Sequence, residues 1–162
     1  MIALDQIDCA ILRALQNNAR LSNKELAAMI GLSPSSCLER VRRLQENGVF
    51  SGFHAELSPK KVGIGLQAMI AVKLNKHIYQ EVDAFRNYAV AHPSVVAVYH
   101  VAGGNDFLLH VAVKDADHLR SLVLSAFTTR PEVAHIETAL IYEYTHSHET
   151  PIYVKHGGFS EN

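Results

Sequence analysis

The sequence predicts an α+β protein in two parts: an N-terminal winged helix-turn-helix domain and a C-terminal ferredoxin-like βαββαβ domain. Three observations carry this. Residues 1–60 hold three short amphipathic helical patterns, each set off by cap and stop residues. A three-residue glycine turn, Gly31-Leu32-Ser33, joins the second pattern to the third, which is helix-turn-helix spacing. Beyond residue 65 the apolar period changes to alternation, and strands and helices follow in the order βαββαβ.

The bulk properties fit two small domains. The chain has 162 residues and 48% hydrophobic residues, enough for real cores and too many for global disorder. No run approaches the roughly 18–20 apolar residues of a membrane span. Met1-Ile2-Ala3-Leu4-Asp5 lacks the basic and apolar regions of a signal peptide, so cytoplasmic residence is expected. Cys9 and Cys37 both fall in apolar stripes and are expected as buried, reduced thiols. A formal net charge of −1 argues against indiscriminate polyanion binding, but Arg40, Arg42 and Arg43 stand against Glu39 in a locally basic segment.

Asp5 and Asp8 open the first helix, where acidic residues suit the dipole. Leu4, Ile7, Ile11, Ala14 and Leu15 form its apolar face, and Asn17-Asn18 end it. Ser22-Asn23-Lys24-Glu25 is a capping box for a second helix that buries Leu26, Ala27 and Ile30 and stops at Gly31. Ser33 caps the third helix and Pro34 fits its first position. Leu38, Val41 and Leu44, with Cys37 beside them, form its buried stripe, and Gly48 ends it. The opposite face carries Ser35, Ser36, Glu39, Arg40 and Arg43, side chains that bond base edges and phosphates. A solvated amphipathic helix is the plain alternative. The tri-helical setting favours a DNA recognition helix. Residues 49–57 read as a short strand or hairpin arm, the wing. Ser58-Pro59-Lys60-Lys61-Val62-Gly63-Ile64-Gly65 breaks both patterns, and a linker is expected at 61–65.

In the second half, Leu66, Ala68, Ile70, Val72 and Leu74 alternate as a half-buried strand. A helix from about Ile78 buries Ile78, Val82, Phe85 and Ala89 and stops before His92-Pro93. Strands at 95–102 and 106–113 flank the turn Gly103-Gly104-Asn105. Asp115 caps a helix with the face Leu119, Leu122, Val123, Ala126 and Phe127, and Arg130-Pro131 ends it. A fourth strand at 133–145 follows, with Ile136, Thr138, Leu140, Tyr142 and Tyr144 on one side. The domain is set at 66–146. His92-Pro93-Ser94-Val95 and Arg130-Pro131-Glu132-Val133 mark a faint internal duplication. Apolar residues on both sides of several strands, including Met69, Val96, Val98, Ala139 and Ile141, predict that the face without helices buries against a second copy. The tail at 147–162 is expected to be flexible at its end, with Ile152, Tyr153 and Val154 able to add an edge strand.

Taken together, these residues resemble the Lrp/AsnC family of bacterial and archaeal transcription regulators, over nearly the whole chain from Leu4 to about His146. The most specific piece is the run from Gly31 through Ser33-Pro34-Ser35-Ser36-Cys37 to Leu44, followed by Gly48. The resemblance implies a helix-turn-helix that binds pseudo-palindromic double-stranded DNA near promoters. It also implies a ferredoxin-like effector domain, and homodimers that commonly assemble into octamers on the nucleoid. Many members sense a free amino acid. Carried over residue by residue, the DNA contacts are Asn23, Ser33, Ser35, Ser36, Glu39, Arg40, Arg42 and Arg43. The effector loop corresponds to Gly103, Gly104, Asn105, Asp106 and Phe107, with Thr138 nearby. Gly104 departs from the family pattern, which has an acidic residue there. Asp106 could take an ammonium by a charge-assisted bond, and backbone N–H groups a carboxylate. The plain alternative for this loop is a hairpin turn.

Several features point elsewhere only on paper. His146, His148 and His156 could chelate a metal, but no carboxylate or cysteine spacing completes a site, and no metal or other cofactor is expected. No nucleophile elbow, P-loop or dinucleotide fingerprint occurs, which argues against an enzyme. The rival reading is a nucleoid-type architectural DNA-binding protein without a ligand.

Overall fold

The computed structural model describes residues 3–153, and the chain divides into two compact units: residues 1–56 with 145–162, and residues 57–144.

The first unit is helical. Helix α1 (Gln6–Asn17) begins at a capping box in which Asp5 accepts the Asp8 N–H at 2.7 Å and Asp8 accepts the Asp5 N–H at 3.2 Å. Helix α2 (Asn23–Ile30) starts at the expected Ser22–Glu25 box. The Ser22 hydroxyl and N–H hold the Glu25 carboxyl below its ordinary range. Gly31 ends α2 at φ 72°, a left-handed conformation that a side chain would strain, and this turns the chain into α3. Helix α3 (Pro34–Glu46) is capped by Ser33, whose Oγ accepts the Ser36 N–H at 3.2 Å. The three helices close over Ile11, Leu15, Leu26, Ala27, Cys37 and Leu44. Burial pushes the Cys37 thiol up, and both cysteines are free.

Two sequence expectations fail here. Leu38 is 58% exposed rather than part of the stripe. The inward positions of α3 are Cys37, Val41 and Leu44, at i, i+4 and i+7; Leu38 lies one residue off and borders an apolar groove with Leu15, Leu21, Val41 and Phe53. The wing is also absent, because residues 49–58 form no strand. Val49 and Phe50 pack on the helical core, and the Phe50 ring meets that of Phe53 at a tilt, centroids 5.2 Å apart. An extended segment becomes a strand only by bonding another, and this one has no strand partner among the described residues.

The C-terminal return belongs to this unit. Thr150 donates its N–H to Gln16 Oε1 at 2.5 Å, Asn17 bonds the Glu149 carboxylate, and Ile152 packs against the helical core. Residues 152 and 153 form no edge strand, and Val154 lies outside the described residues.

The second unit opens with a 3-10 turn (Pro59–Val62), so the expected linker is largely ordered chain leading into the sheet. Strands β1 (Leu66–Leu74), β2 (Val95–His100), β3 (Phe107–Val113) and β4 (Val133–Ile141) form one antiparallel sheet in the order β2-β3-β1-β4. Helices α4 (Tyr79–Ala91) and α5 (Ala116–Leu122), the latter continued by a π-helical turn (Val123–Thr128), supply the second layer. Ala68, Ile70, Val72, Phe107, Leu109 and Val111 meet Phe85, Ala89, Leu122 and Phe127 in the core. Ile78, expected inside α4, instead precedes it as the N-cap and is 48% exposed. The sheet register puts Met69 and Ala71, Leu108 and His110, and Glu137 and Ala139 on the face without helices.

Candidate nucleic-acid interface and effector loop

The first candidate site is α3. Asn23 Nδ2 donates to the Pro34 carbonyl at 2.6 Å, tying the start of α2 to the start of α3. The Ser33 hydroxyl lies 3.1 Å from Ser35 Oγ and 2.8 Å from Ser36 Oγ, so the three serines form one polar cluster over the helix N-terminus. Those hydroxyls, with the open N-terminal N–H groups, suit contact with a phosphate or a base edge. Ser35, Ser36, Glu39, Arg42 and Arg43 are exposed, and Arg42 pairs with Glu46 at 2.8 Å along the helix.

Arg40 and Arg43 are placed differently from the serines. Arg40 Nη1 donates to Asp5 Oδ2 at 2.7 Å and to Asp8 Oδ1 at 2.9 Å, while Arg43 Nη2 donates to Asp8 Oδ2 at 2.5 Å. The Asp8 side chain is 1% exposed. A carboxylate that deep needs cationic partners, and the two arginines supply them. The Asp5 hydrogen bond, joined by Asp8 and opposed by burial, holds the Arg40 guanidinium above its ordinary value. Burial alone would raise the Asp5 carboxyl, but the Asp8 N–H and Arg40 outweigh it and hold it low. Arg40 thus fastens α3 to α1, and the Arg43 side chain keeps 47% exposure toward solvent. Reading Asp5 and Asp8 only as dipole partners missed this. The available signal was position: Asp8 precedes Ile11 and Leu12 by three and four residues, on the inner stripe of α1.

The second candidate site is the β2–β3 loop. Gly103 sits at φ 143°, a backbone conformation that favours glycine. Gly104 is not so constrained, and an added Cβ would meet nothing within 4 Å. Asp106 is held from several sides. Its N–H donates to the Val72 carbonyl at 2.9 Å, its Oδ2 accepts the Leu74 N–H at 2.7 Å, and its Oδ1 lies 3.1 Å from His77 Nε2. The carboxylate therefore closes the end of β1 and faces His77, a neighbour that the sequence pattern did not single out. Phe107 is fully buried in the core, stacked against His100 with ring centroids 4.8 Å apart and tilted against Phe85 at 5.0 Å. Thr138 is exposed on β4 and pairs with Ile70 of β1, which in turn pairs with Leu109 of β3. Two strand spacings, about 10 Å, therefore separate Thr138 from the strand that carries the loop. Within one chain the structure gathers Gly103, Gly104, Asn105 and Asp106, and places Phe107 beneath them and Thr138 apart.

Comparisons with known proteins agree with both halves. A family model for the AsnC-type helix-turn-helix domain matches residues 4–45, and one for the Lrp/AsnC ligand binding domain matches residues 67–150. The HTH-type transcriptional regulator AldR of Mycolicibacterium smegmatis is 45% identical over 141 residues, covering 87% of this chain and 82% of that protein. The leucine-responsive regulatory protein of Escherichia coli is 34% identical over 140 residues, covering 86% and 85%. Among solved structures, a Neisseria meningitidis transcriptional regulator in complex with L-methionine superposes with a TM-score of 0.87 at 31% identity, covering 92% of this chain and 97% of that one. Among the described residues no helix is long and apolar enough to cross a membrane. The two family models match in this order over most of the chain, the relatives align along both domains, and the chain is a member of the Lrp/AsnC family of transcriptional regulators.

Proposed function

We propose that this regulator binds a pseudo-palindromic operator in double-stranded DNA as a symmetric homodimer, and that a free amino acid shifts its DNA affinity. The observation that carries the proposal is the outward surface of α3. Ser33, Ser35, Ser36, Glu39, Arg42 and the open side of Arg43 leave the helix toward solvent, while Asn23 and the Arg40–Asp8 pair hold that helix at a fixed angle on its neighbours. Two such helices, one from each protomer, would enter successive major grooves about one helical turn apart. The sheet face carrying Met69, Ala71, Leu108 and Ala139 is the surface on which two copies meet, and further assembly toward an octamer uses surfaces outside it. The protein works in the cytoplasm, on the nucleoid.

The effector reading rests on the loop. Amide groups around Gly103, Gly104 and Asn105 would receive a carboxylate, and Asp106 an ammonium in competition with His77. Thr138 joins this site when another copy contributes it, which places the effector between subunits. Binding there favours one assembly over another and so changes DNA affinity.

The test is a thermal-shift panel of amino acids, repeated as fluorescence anisotropy on operator DNA. One amino acid should raise the melting temperature and change the DNA affinity of the wild type, and Asp106→Asn should lose both effects. If no amino acid does either and DNA is covered without sequence preference, the ligand-free architectural reading stands instead. The fact that Asp106 is already bonded to Leu74 and His77 is what favours that rival.

A further inference from the structure

The chain leaves the helical unit just after Glu56 and comes back to it at Thr145. At that place Glu56, His146 and His148 converge, and one ligand atom from each lies within 4.8 Å of the others. His148 Nε2 is 3.3 Å from Glu56 Oε2, and the two imidazoles meet edge to face with centroids 4.7 Å apart. In sequence the carboxylate is ninety residues from the histidines, so spacing alone does not reveal it. The segment bearing the histidines is held down: Ser147 and Glu149 form a local turn, Glu149 is bonded to Asn17, and Thr150 to Gln16.

From this convergence we propose that Glu56, His146 and His148 bind one divalent transition-metal ion, with zinc the best match. Two imidazoles and a carboxylate are donors that zinc, nickel and cobalt accept at about 2.0–2.2 Å, whereas magnesium and calcium prefer all-oxygen sets. In a tetrahedral site of those bond lengths the ligand atoms stand roughly 3.3 Å apart. Small χ rotations of exposed side chains bring 4.8 Å to that value without moving the backbone. Water completes the fourth position. The ion replaces the His148–Glu56 contact with coordinate bonds. Because Glu56 precedes the sheet unit and His146 follows it, a bound ion clips together the chain's exit from the helical unit and its re-entry.

The test uses the full-length chain, stripped with chelator and titrated with cobalt(II) by visible absorption and with zinc(II) by calorimetry. One ion per chain is expected, with the visible bands of tetrahedral cobalt. Glu56→Gln and His148→Ala should each weaken binding by at least about tenfold, the scale on which even indirect ligand supports act. His54→Ala and His156→Ala should titrate like the wild type; the latter separates this site from one in the tail, which lies outside the described residues. All four positions are on exposed or terminal chain, and unchanged circular dichroism confirms that the variants fold. No saturable binding at equimolar metal would overturn the proposal. So would a His148→Ala titration superimposable on the wild type, or loss of binding in His156→Ala alone.

Discussion

Asp8 is the residue on which the DNA-binding half turns. It is a carboxylate with 1% side-chain exposure, neutralised by Arg40 and Arg43. Removing one cation leaves the other, so Arg40→Met should cost about 2–3 kcal/mol, somewhat less than a fully orphaned buried charge. Chemical denaturation followed by helix signal would measure it. A consequence follows for DNA studies: lost binding in an Arg40 variant reports a loosened helix pair as much as a missing contact. Ser35 and Glu39 are cleaner probes, since they are exposed and neither holds helices together. The low Asp5 pKa has a sign that can be checked. A carboxyl depressed in the folded state stabilises above its unfolded value of 3.8 and loses that contribution as pH falls through the folded value. Acid denaturation below about pH 4 should therefore be shallower in Asp5→Asn than in the wild type. At Gly104 the backbone makes no demand, so Gly104→Asp should change stability by less than about 0.5 kcal/mol in thermal melts. The missing acidic group is thus a chemical difference from the family pattern, and restoring it should alter the amino-acid response rather than the fold.

At the scale of elements, caps and stops were the most legible features. Ser22-x-x-Glu25, Gly31, Ser33-Pro34 and Asp115 each act where the sequence puts them, because capping is decided within four residues. Alternation likewise located β1, since a strand buried on one face repeats every second residue, and the glycine turn before Asp106 located β3. Elements that depend on distant partners were not legible. The wing at 49–57 has strand composition but no strand to pair with among the described residues. Leu38 and Ile78 are apolar and at near-helical spacing, yet which side of a helix is covered depends on neighbours far away in sequence. The same limit hid the partners of the site residues: Arg40 finds Asp8, Asp106 finds Leu74 and His77, and Glu56 finds His148. On β3, burial lowers the pKa of His110, which bonds Gln67 at 2.8 Å and packs beneath Tyr144. A base with a depressed folded pKa stabilises fully above its unfolded value of 6.5 and loses that contribution as pH falls toward the folded value. Replacing His110 with Gln should flatten the fall in stability as pH drops below 6.5, measured by urea denaturation at several pH values.

For the whole molecule, the helical half and the sheet half make separate claims. Among the described residues no helix packs on the sheet face with Met69, Ala71, Leu108 and Ala139, and such faces are covered by a second layer in stable domains. Light scattering should return at least twice the chain's 17.9 kDa mass, and Leu108→Glu should reduce it to one chain by placing a charge in that layer. Losing the dimer should also weaken operator binding, because a chain of net charge −1 has little general attraction for DNA and, on the proposed function, would need two α3 helices together. The most direct test of the account is selection of the full-length wild type from a random duplex pool, followed by anisotropy on the recovered site with Glu39→Ala and Ser35→Ala. One two-fold-symmetric site is expected, with a loss of roughly 1–3 kcal/mol for each variant and the fold intact. Recovery of no preferred sequence, or variants that bind the site as tightly as the wild type, would contradict it.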